Sequence, residues 1–171
     1  MPLRRTHARA ARAFREAIAL RPDEPAAYYN LGAALNNSGH AVEAAQRYLE
    51  AKERYPVGSA NWAEATARAF YLLTQEACAE VATPEWWNDE ELKALSVRVV
   101  RAAPDNLIAN QMRAMVLAGQ CAAWQAGPRS AAEFMEAATH FERSAALCSA
   151  LVAKAELAED AAWCRRQAEA I

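Results

Sequence analysis

Residues 25–58 read PAAYYNLGAALNNSGHAVEAAQRYLEAKERYPVG, and the architecture of the chain can be worked out from this stretch. Its large apolar side chains recur at helical spacing in two blocks that are separated by Gly39. Gly39 can supply the left-handed conformation that ends a helix, and Pro56 prevents the second helix from continuing. Gly32 and Ala44 are small residues, which would let two packed helices approach closely. The stretch therefore predicts two helices joined by a tight turn.

Part of the same pattern occurs 34 residues earlier in the chain. The matched residues are Ala10, Phe14, Ala17 and Pro22 in the first copy and Ala44, Tyr48, Ala51 and Pro56 in the second. Residues 1–22 thus correspond to the second helix of a repeat whose first helix has no counterpart in the sequence. The apolar side chains of Phe14, Ile18 and Leu20 would then be exposed unless another helix or another chain packs on them. Three explanations stay open: the chain is the tail of a longer solenoid, another chain covers this face, or the start codon has been placed too late.

The full pattern of residues 25–58 resembles the tetratricopeptide repeat, a helix-turn-helix unit of 34 residues. The matching residues are Tyr28, Leu31, Gly32, Leu35, Gly39, Ala44, Tyr48, Ala51 and Pro56. Leu35 is the one departure, because a tyrosine is usual at that position. The resemblance implies an all-α solenoid of antiparallel helix pairs that forms a right-handed superhelix, with elongated and divergent repeats toward the C-terminus. It also implies protein-protein interaction as the function.

The pattern continues after Pro56 but becomes longer. Pro104 follows Pro56 by 48 residues, which is 14 more than one repeat. We therefore predict a single helical-repeat domain over residues 1–171. Its parts are a half repeat at 1–22, a clear repeat at 25–58, an elongated repeat at 59–104, a divergent repeat at 105–150 and a terminal capping helix at 151–171.

Local signals set some of the expected helix ends in the longer repeats. No helix breaker occurs from Ser59 to Ala82, so we expect one helix of about 24 residues there. Asn88 or Asp89 can cap the following helix, and Ser130 with Glu133 forms a capping-box pattern. If the positions of the 34-residue repeat are counted onward without further insertion, Asn110 and Arg113 of the divergent repeat fall at positions that are normally buried. We do not expect this placement, because buried polar groups are costly unless they are paired.

Charge and composition exclude several classes of protein. The net charge is −2, which argues against a dedicated nucleic-acid binder. There is no apolar run of the length that spans a membrane. The four cysteines and three histidines show no metal-binding spacing, which favours buried free thiols in a reducing, cytoplasmic location. No nucleotide-binding or hydrolase motif occurs, so we predict a non-enzymatic protein without cofactor or metal.

The resemblance also implies a binding site on the first helix of each repeat, which lines a concave groove in this family. We expect a peptide to contact Tyr29, Asn30, Ala33, Asn37, Glu64 and Tyr71. Other groove positions by the same register are Ala26, Asn36, Ala60, Ala63, Ala67 and Phe70. A carboxylate clamp for chaperone C-termini is rejected, because Ala60 and Glu64 stand where lysine and arginine are needed.

Two further expectations concern other surfaces. Trp86 and Trp87 are adjacent, so their side chains diverge and cannot be equally buried. An exposed one could serve as an interaction anchor, but we favour the alternative that one packs inward and the other lies along the insertion. The uncovered helix at residues 1–22 could support a homo-oligomer, which makes a structural or self-assembling scaffold subunit the alternative to a peptide-binding adaptor. An enzyme with a site assembled in space is the third class.

Overall fold

The computed structural model describes residues 2–171, with side chains described from Thr6 onward. In this part of the chain there are eight α-helices, one 3-10 helix and no strand, which confirms the predicted all-α fold. The chain divides into two compact units, residues 1–82 and residues 83–171. This boundary falls inside the elongated repeat predicted at 59–104, and the single domain over 1–171 stays a prediction.

The first unit is a stack of four α-helices in which consecutive helices pack together. They are α1 (Pro2–Leu20), α2 (Pro25–Asn37), α3 (Ala41–Arg54) and α4 (Ala60–Leu73), followed by a 3-10 helix at Glu76–Cys78. Gly39 has a φ of +83° at the end of α2, as predicted. Ser59 caps α4 by accepting a hydrogen bond from the backbone N–H of Trp62 at 3.1 Å. The short turns reverse the chain each time, so α2 and α4 run in the same direction.

Close contact between α2 and α3 explains the glycine of the repeat pattern. A Cβ atom added at Gly32 would lie 3.1–3.2 Å from the ring of Tyr48. Tyr48 is fully buried, and its ring meets that of Tyr29 edge-on at 5.3 Å between centroids. The small residue therefore sets how closely the two helices approach, as the sequence predicts.

Helix α1 is less enclosed than its counterpart α3. Ala10, Phe14 and Ala17 are half-buried, whereas the matching α3 residues are fully buried. The expectation that α1 lacks cover is correct only in part. Ile18 packs against a cluster that contains Tyr28, whereas Leu20 is 83% exposed.

The long helix predicted for residues 59–82 is wrong, because α4 ends at Leu73. The hydroxyl of Thr74 donates to the carbonyl of Tyr71 at 2.7 Å and occupies a carbonyl of the last helical turn. Gln75 is then extended, with φ of −82° and ψ of 144°, and the chain leaves the helix axis.

The second unit is a stack of four helices in which each packs on the next along the chain. They are α5 (Asp89–Ala102), α6 (Leu107–Ala118), α7 (Ala131–Leu147) and α8 (Leu151–Glu169). Asn88 caps α5, and Ser130 with Glu133 forms the predicted capping box on α7. Helix α8 covers the core around Phe141 with Leu157 and Cys164. It begins at the point where the sequence predicts a terminal helix.

Arg113 is buried on α6, contrary to the expectation from the sequence. Its guanidinium donates twice to Glu136 on α7, at 2.8 and 3.0 Å. It also donates to the hydroxyl of Ser96 and to the carbonyl of Lys93 on α5, both at 3.1 Å. Burial is tolerated because neighbouring helices satisfy the charged group.

Asn110 is also fully buried, which corrects the second half of that expectation. Its amide nitrogen donates to the carbonyls of Pro104 and Asn106 at 2.8 and 2.9 Å. Its oxygen lies 2.9 Å from Nδ1 of His140 on α7. Both polar residues of α6 are therefore buried with their polar groups paired to neighbouring residues.

Asp89 and Arg129 tie the start of α5 to the connection between α6 and α7. Both terminal nitrogens of Arg129 donate to the carboxylate of Asp89, which also accepts from the indole of Trp124 and the N–H of Gly127. Arg129 further donates to the carbonyls of Val116 and Leu117 in the last turn of α6. The connection between α6 and α7 therefore satisfies carbonyls at the end of α6 through Arg129, and the same side chain fixes the connection to Asp89 on α5.

Candidate functional site

One face of α2 carries four of the six residues expected to contact a peptide. Tyr29 and Ala33 are half-buried, while Asn30 and Asn37 are exposed. In the described part of the chain, neither asparagine side chain makes a hydrogen bond. Their amides are therefore available as both donors and acceptors.

The structure brings Tyr29 together with Glu64, which lies 35 residues later on α4. The Tyr29 hydroxyl donates to Oε1 of Glu64 at 2.6 Å, and Nη2 of Arg68 donates to the same oxygen at 3.3 Å. These three residues form the polar cluster of the first unit. Arg68 is absent from the sequence-based prediction, although its position one turn after Glu64 is a spacing at which ion pairs form on a helix.

The neighbouring groups shift the ionisation of this cluster. Burial, together with the hydrogen bond to Glu64, raises the pKa of Tyr29 well above the usual tyrosine range. Burial also raises the pKa of Tyr48. Burial alone would lower the pKa of Arg68, but the hydroxyls of Tyr29 and Tyr48 and the Glu64 carboxylate outweigh it and the pKa is raised. The tyrosines thus stay neutral hydrogen-bonding groups near neutral pH, beside a paired carboxylate and guanidinium.

Two stripes of side chains result, and we call the surface between them the groove. One stripe is on α2 (Tyr29, Asn30, Ala33, Asn37) and the other is on α4 (Glu64, Arg68, Tyr71). The Tyr29–Glu64 hydrogen bond joins the two stripes, and Asn37 and Tyr71 lie toward the C-terminal ends of α2 and α4, respectively. Tyr71 is 39% exposed at the end of the α4 stripe.

For three other residues the prediction of a groove position is wrong. Ala63, Ala67 and Phe70 are fully buried. Helix α4 buries nine of its fourteen residues, so its apolar surface is much broader than one stripe. On this side of α4, Ala60 and Tyr71 are exposed and Glu64 and Arg68 are half-buried.

The tryptophan pair does not supply an exposed anchor. Trp86 and Trp87 are both half-buried, with ring centroids 5.7 Å apart. The indole N–H of Trp87 donates to the carbonyl of Ala123 at 2.9 Å, and its ring meets Trp124 edge-on. Neither ring is exposed, so the expectation of an exposed interaction anchor at this pair is wrong.

The chemistry available to the groove is hydrogen bonding and packing. Among the residues with described positions, no group of three His, Cys, Asp or Glu side chains could hold a metal ion. All four cysteines are free thiols. None of the described helices combines the length and the apolarity that crossing a membrane requires.

A family model described as TPR repeat matches residues 7–39. The matched span contains α1 from His7 onward, all of α2 and the turn at Gly39. It confirms the predicted resemblance to the tetratricopeptide repeat. Repeats of this kind generally mediate protein-protein interaction as non-catalytic modules. No curated protein matches the chain in sequence.

Proposed function

We propose that the first unit, in which residues 7–39 match a TPR repeat model, is a non-catalytic adaptor module that captures a peptide or partner helix in the groove. The observation that carries the proposal is the pair of exposed amides, Asn30 and Asn37, beside the polar cluster. Unpaired amides on a helix face can satisfy the donors and acceptors of an extended peptide, and each such hydrogen bond is worth about 1 kcal/mol net.

The groove is also held in place before any partner arrives. Tyr29 is fixed by its hydrogen bond to Glu64 and by the edge of Tyr48, and Gly32 allows α2 to lie close to α3. Fewer side chains then lose rotamer freedom on binding, which lowers the cost of association. A few polar contacts with the peptide are then enough for binding, because little side-chain entropy is lost when it binds.

The test is an affinity pull-down from the source cell that compares the wild-type chain with the Asn30→Ala/Asn37→Ala double variant. Both side chains are exposed, so the variant should keep the helicity and melting temperature of the wild type. Gln46→Ala, an exposed change on α3 outside the groove, is the matched control. We expect partners to be retained by the wild type and by Gln46→Ala and lost by the double variant. Partners that remain on all three proteins would overturn the groove as the binding site.

A structural or self-assembling scaffold subunit is the second candidate, and the half-burial of Ala10, Phe14 and Ala17 favours it. A second copy packed on α1 would bury these positions as their counterparts in α3 are buried. Sedimentation of the whole chain decides between one copy and several. A monomer at micromolar concentration would count against the scaffold.

A further inference from the structure

Helix α1 carries a stripe of side chains that its neighbour α2 leaves uncovered. Its members, spaced three and four residues apart, are Ala10, Ala13, Ala17 and Leu20. The first and third of them are half-buried, and the other two are exposed. Ala44 and Ala51, the counterparts of Ala10 and Ala17 on α3, are fully buried, because α3 has α2 and α4 packed on it. Helix α1 thus has the pattern of a second helix, but among the described residues no first helix covers this stripe.

Helix α8 is in the complementary situation. On α7, the buried residues Ala137, Phe141 and Ser144 have the spacing of the second-helix residues in the clear repeat. Helix α7 is thus a second helix by its pattern, and α8, which follows it, takes the place of the first helix of a further repeat. Leu157 and Cys164 of α8 face the core of the second unit, and the opposite face of α8 is exposed.

The exposed face of α8 carries a stripe that matches the stripe of α1. Its members, again three and four residues apart on one face of the helix, are Leu151, Ala155, Ala158 and Ala162. All four are exposed, and Leu151, like Leu20, is 83% exposed. When two such helices lie antiparallel with Leu20 beside Leu151, each alanine of one stripe falls within one residue of the level of an alanine of the other. Side chains this small let two helices approach closely, as Gly32 does between α2 and α3.

The segments that carry the two stripes have opposite charge. Residues 6–21 contain four arginines and one glutamate, whereas residues 151–162 contain three acids and one lysine. In the described part of the chain, none of these three acids, Glu156, Glu159 and Asp160, takes part in an ion pair. Burial and repulsion from the two glutamates raise the pKa of Asp160. Because opposite charges steer surfaces together and like charges keep them apart, the stripe of α1 favours the stripe of α8 over another α1.

We propose that the two uncovered stripes bind each other, with α8 of one copy of the chain packed antiparallel on α1 of a second copy. Each copy then supplies the helix that the other lacks, a first helix for α1 and a second helix for α8. The contact joins two different surfaces, so a pair of copies still has one free stripe of each kind that a further copy can occupy. This inference rests on the scaffold candidate, whose contact surface it names, and it does not depend on the groove.

Sedimentation equilibrium of the whole chain over a range of concentrations tests the proposal. We expect the average mass of the wild type to rise above that of one chain as the concentration increases. Ala13→Glu and Ala158→Arg each place a long side chain in the middle of one stripe, with the charge that the opposite segment repels. Both residues are exposed, and glutamate and arginine are good helix formers, so the variants should stay folded but monomeric. Ala19→Glu, at an exposed residue of α1 outside the stripe, is the matched control and should assemble like the wild type.

A mixture of the two variants distinguishes this contact from one between like surfaces. Ala13→Glu keeps an intact stripe on α8, and Ala158→Arg keeps an intact stripe on α1. One copy of each can therefore join, and the stripes that remain free are both blocked. We expect the equimolar mixture to have the mass of two chains, although each variant alone has the mass of one.

Three results would overturn the proposal. They are a wild-type chain that stays monomeric at every concentration, assembly of Ala158→Arg alone, which would show that α8 takes no part, and a mixture that stays monomeric. The groove is judged separately, by whether partners are lost from the Asn30→Ala/Asn37→Ala variant. Monomeric Ala13→Glu keeps both asparagines, so it should retain the partners that depend on them.

Discussion

At the scale of single residues, Asp89 joins the start of α5 to the connection between α6 and α7 through hydrogen bonds with Trp124, Gly127 and Arg129. It is the acidic partner of Arg129, whose side chain is only 3% exposed. We expect Asp89→Asn to lower the free energy of unfolding by about 3 kcal/mol, because removing one partner leaves a buried charge without compensation. Urea unfolding monitored by circular dichroism measures the change.

The control for this prediction is the ion pair between Arg143 and Asp105. Asp105 is 82% exposed, so Asp105→Asn should change the stability by no more than the ~0–1 kcal/mol typical of surface pairs. Equal effects of the two substitutions would mean that Arg129 finds other acceptors, and the capping role of the long connection would be wrong.

The hydrogen bond from Arg129 also lowers the pKa of Asp89. Its stabilisation is therefore present above the usual carboxyl pKa and is lost in acid.

At the scale of helices, His140 makes the contact between α6 and α7 sensitive to pH. Burial lowers the pKa of His140; Glu136 opposes the shift, and Arg113 and Arg143 add to it. The unfolded chain then binds a proton more readily than the folded chain, so stability falls as the pH drops below about 6.5, the ordinary histidine value. We expect a lower urea midpoint at pH 5.5 than at pH 7.5.

The substitution His140→Gln should flatten this dependence, because glutamine can still donate to Asn110 but does not titrate. His40→Gln, at the exposed turn before α3, should retain the wild-type slope between the two pH values. An unchanged slope in His140→Gln would show that another group carries the pH dependence.

Glu133 titrates below the range from pH 5.5 to 7.5. Burial alone would raise its pKa, but hydrogen bonds with Lys93 and Ser130 outweigh burial and lower the pKa to about 2.

The comparison of sequence and structure is also clearest at this scale. The pairing of α2 with α3 can be predicted, because Gly32 and Tyr48 carry a short-range pattern of small and large residues. The end of α4 cannot, because no glycine or proline marks it; the helix ends at Leu73, and the Thr74 hydroxyl donates to the carbonyl of Tyr71. The burial of Arg113 escapes prediction because its partners lie 17 to 23 residues away, on other helices.

The candidate site, like the fold, has parts that the sequence predicts and parts that it does not. The family register names Tyr29 and Glu64, and the structure places them in hydrogen-bond contact. The register misses Arg68 because it treats that position as outside the groove. It misplaces Ala63, Ala67 and Phe70 because it carries no information on how much of α4 is enclosed. Whether the remaining residues bind a peptide stays a prediction.

At the scale of the whole molecule, the second unit has a core of its own. Phe141, Leu117, Leu157 and Cys164 are buried in one cluster that is built only from α6, α7 and α8. We therefore expect the fragment 83–171 to be helical and to melt cooperatively when it is expressed alone. The shorter fragment 83–150 lacks α8 and should lose the cooperative transition, because Phe141 would lose its cover. Calorimetry and circular dichroism of both fragments test this, and a disordered 83–171 would contradict it.

The consecutive packing of helices has a consequence for how the chain reaches its fold. Each helix contacts mainly the helix next to it in sequence, so the contacts form between segments that are never far apart along the chain. Helical proteins with such local contacts fold within about microseconds to milliseconds. Synthesis adds only about 5–20 residues per second. During translation, the first unit can therefore be complete before the last helix of the second unit has been made.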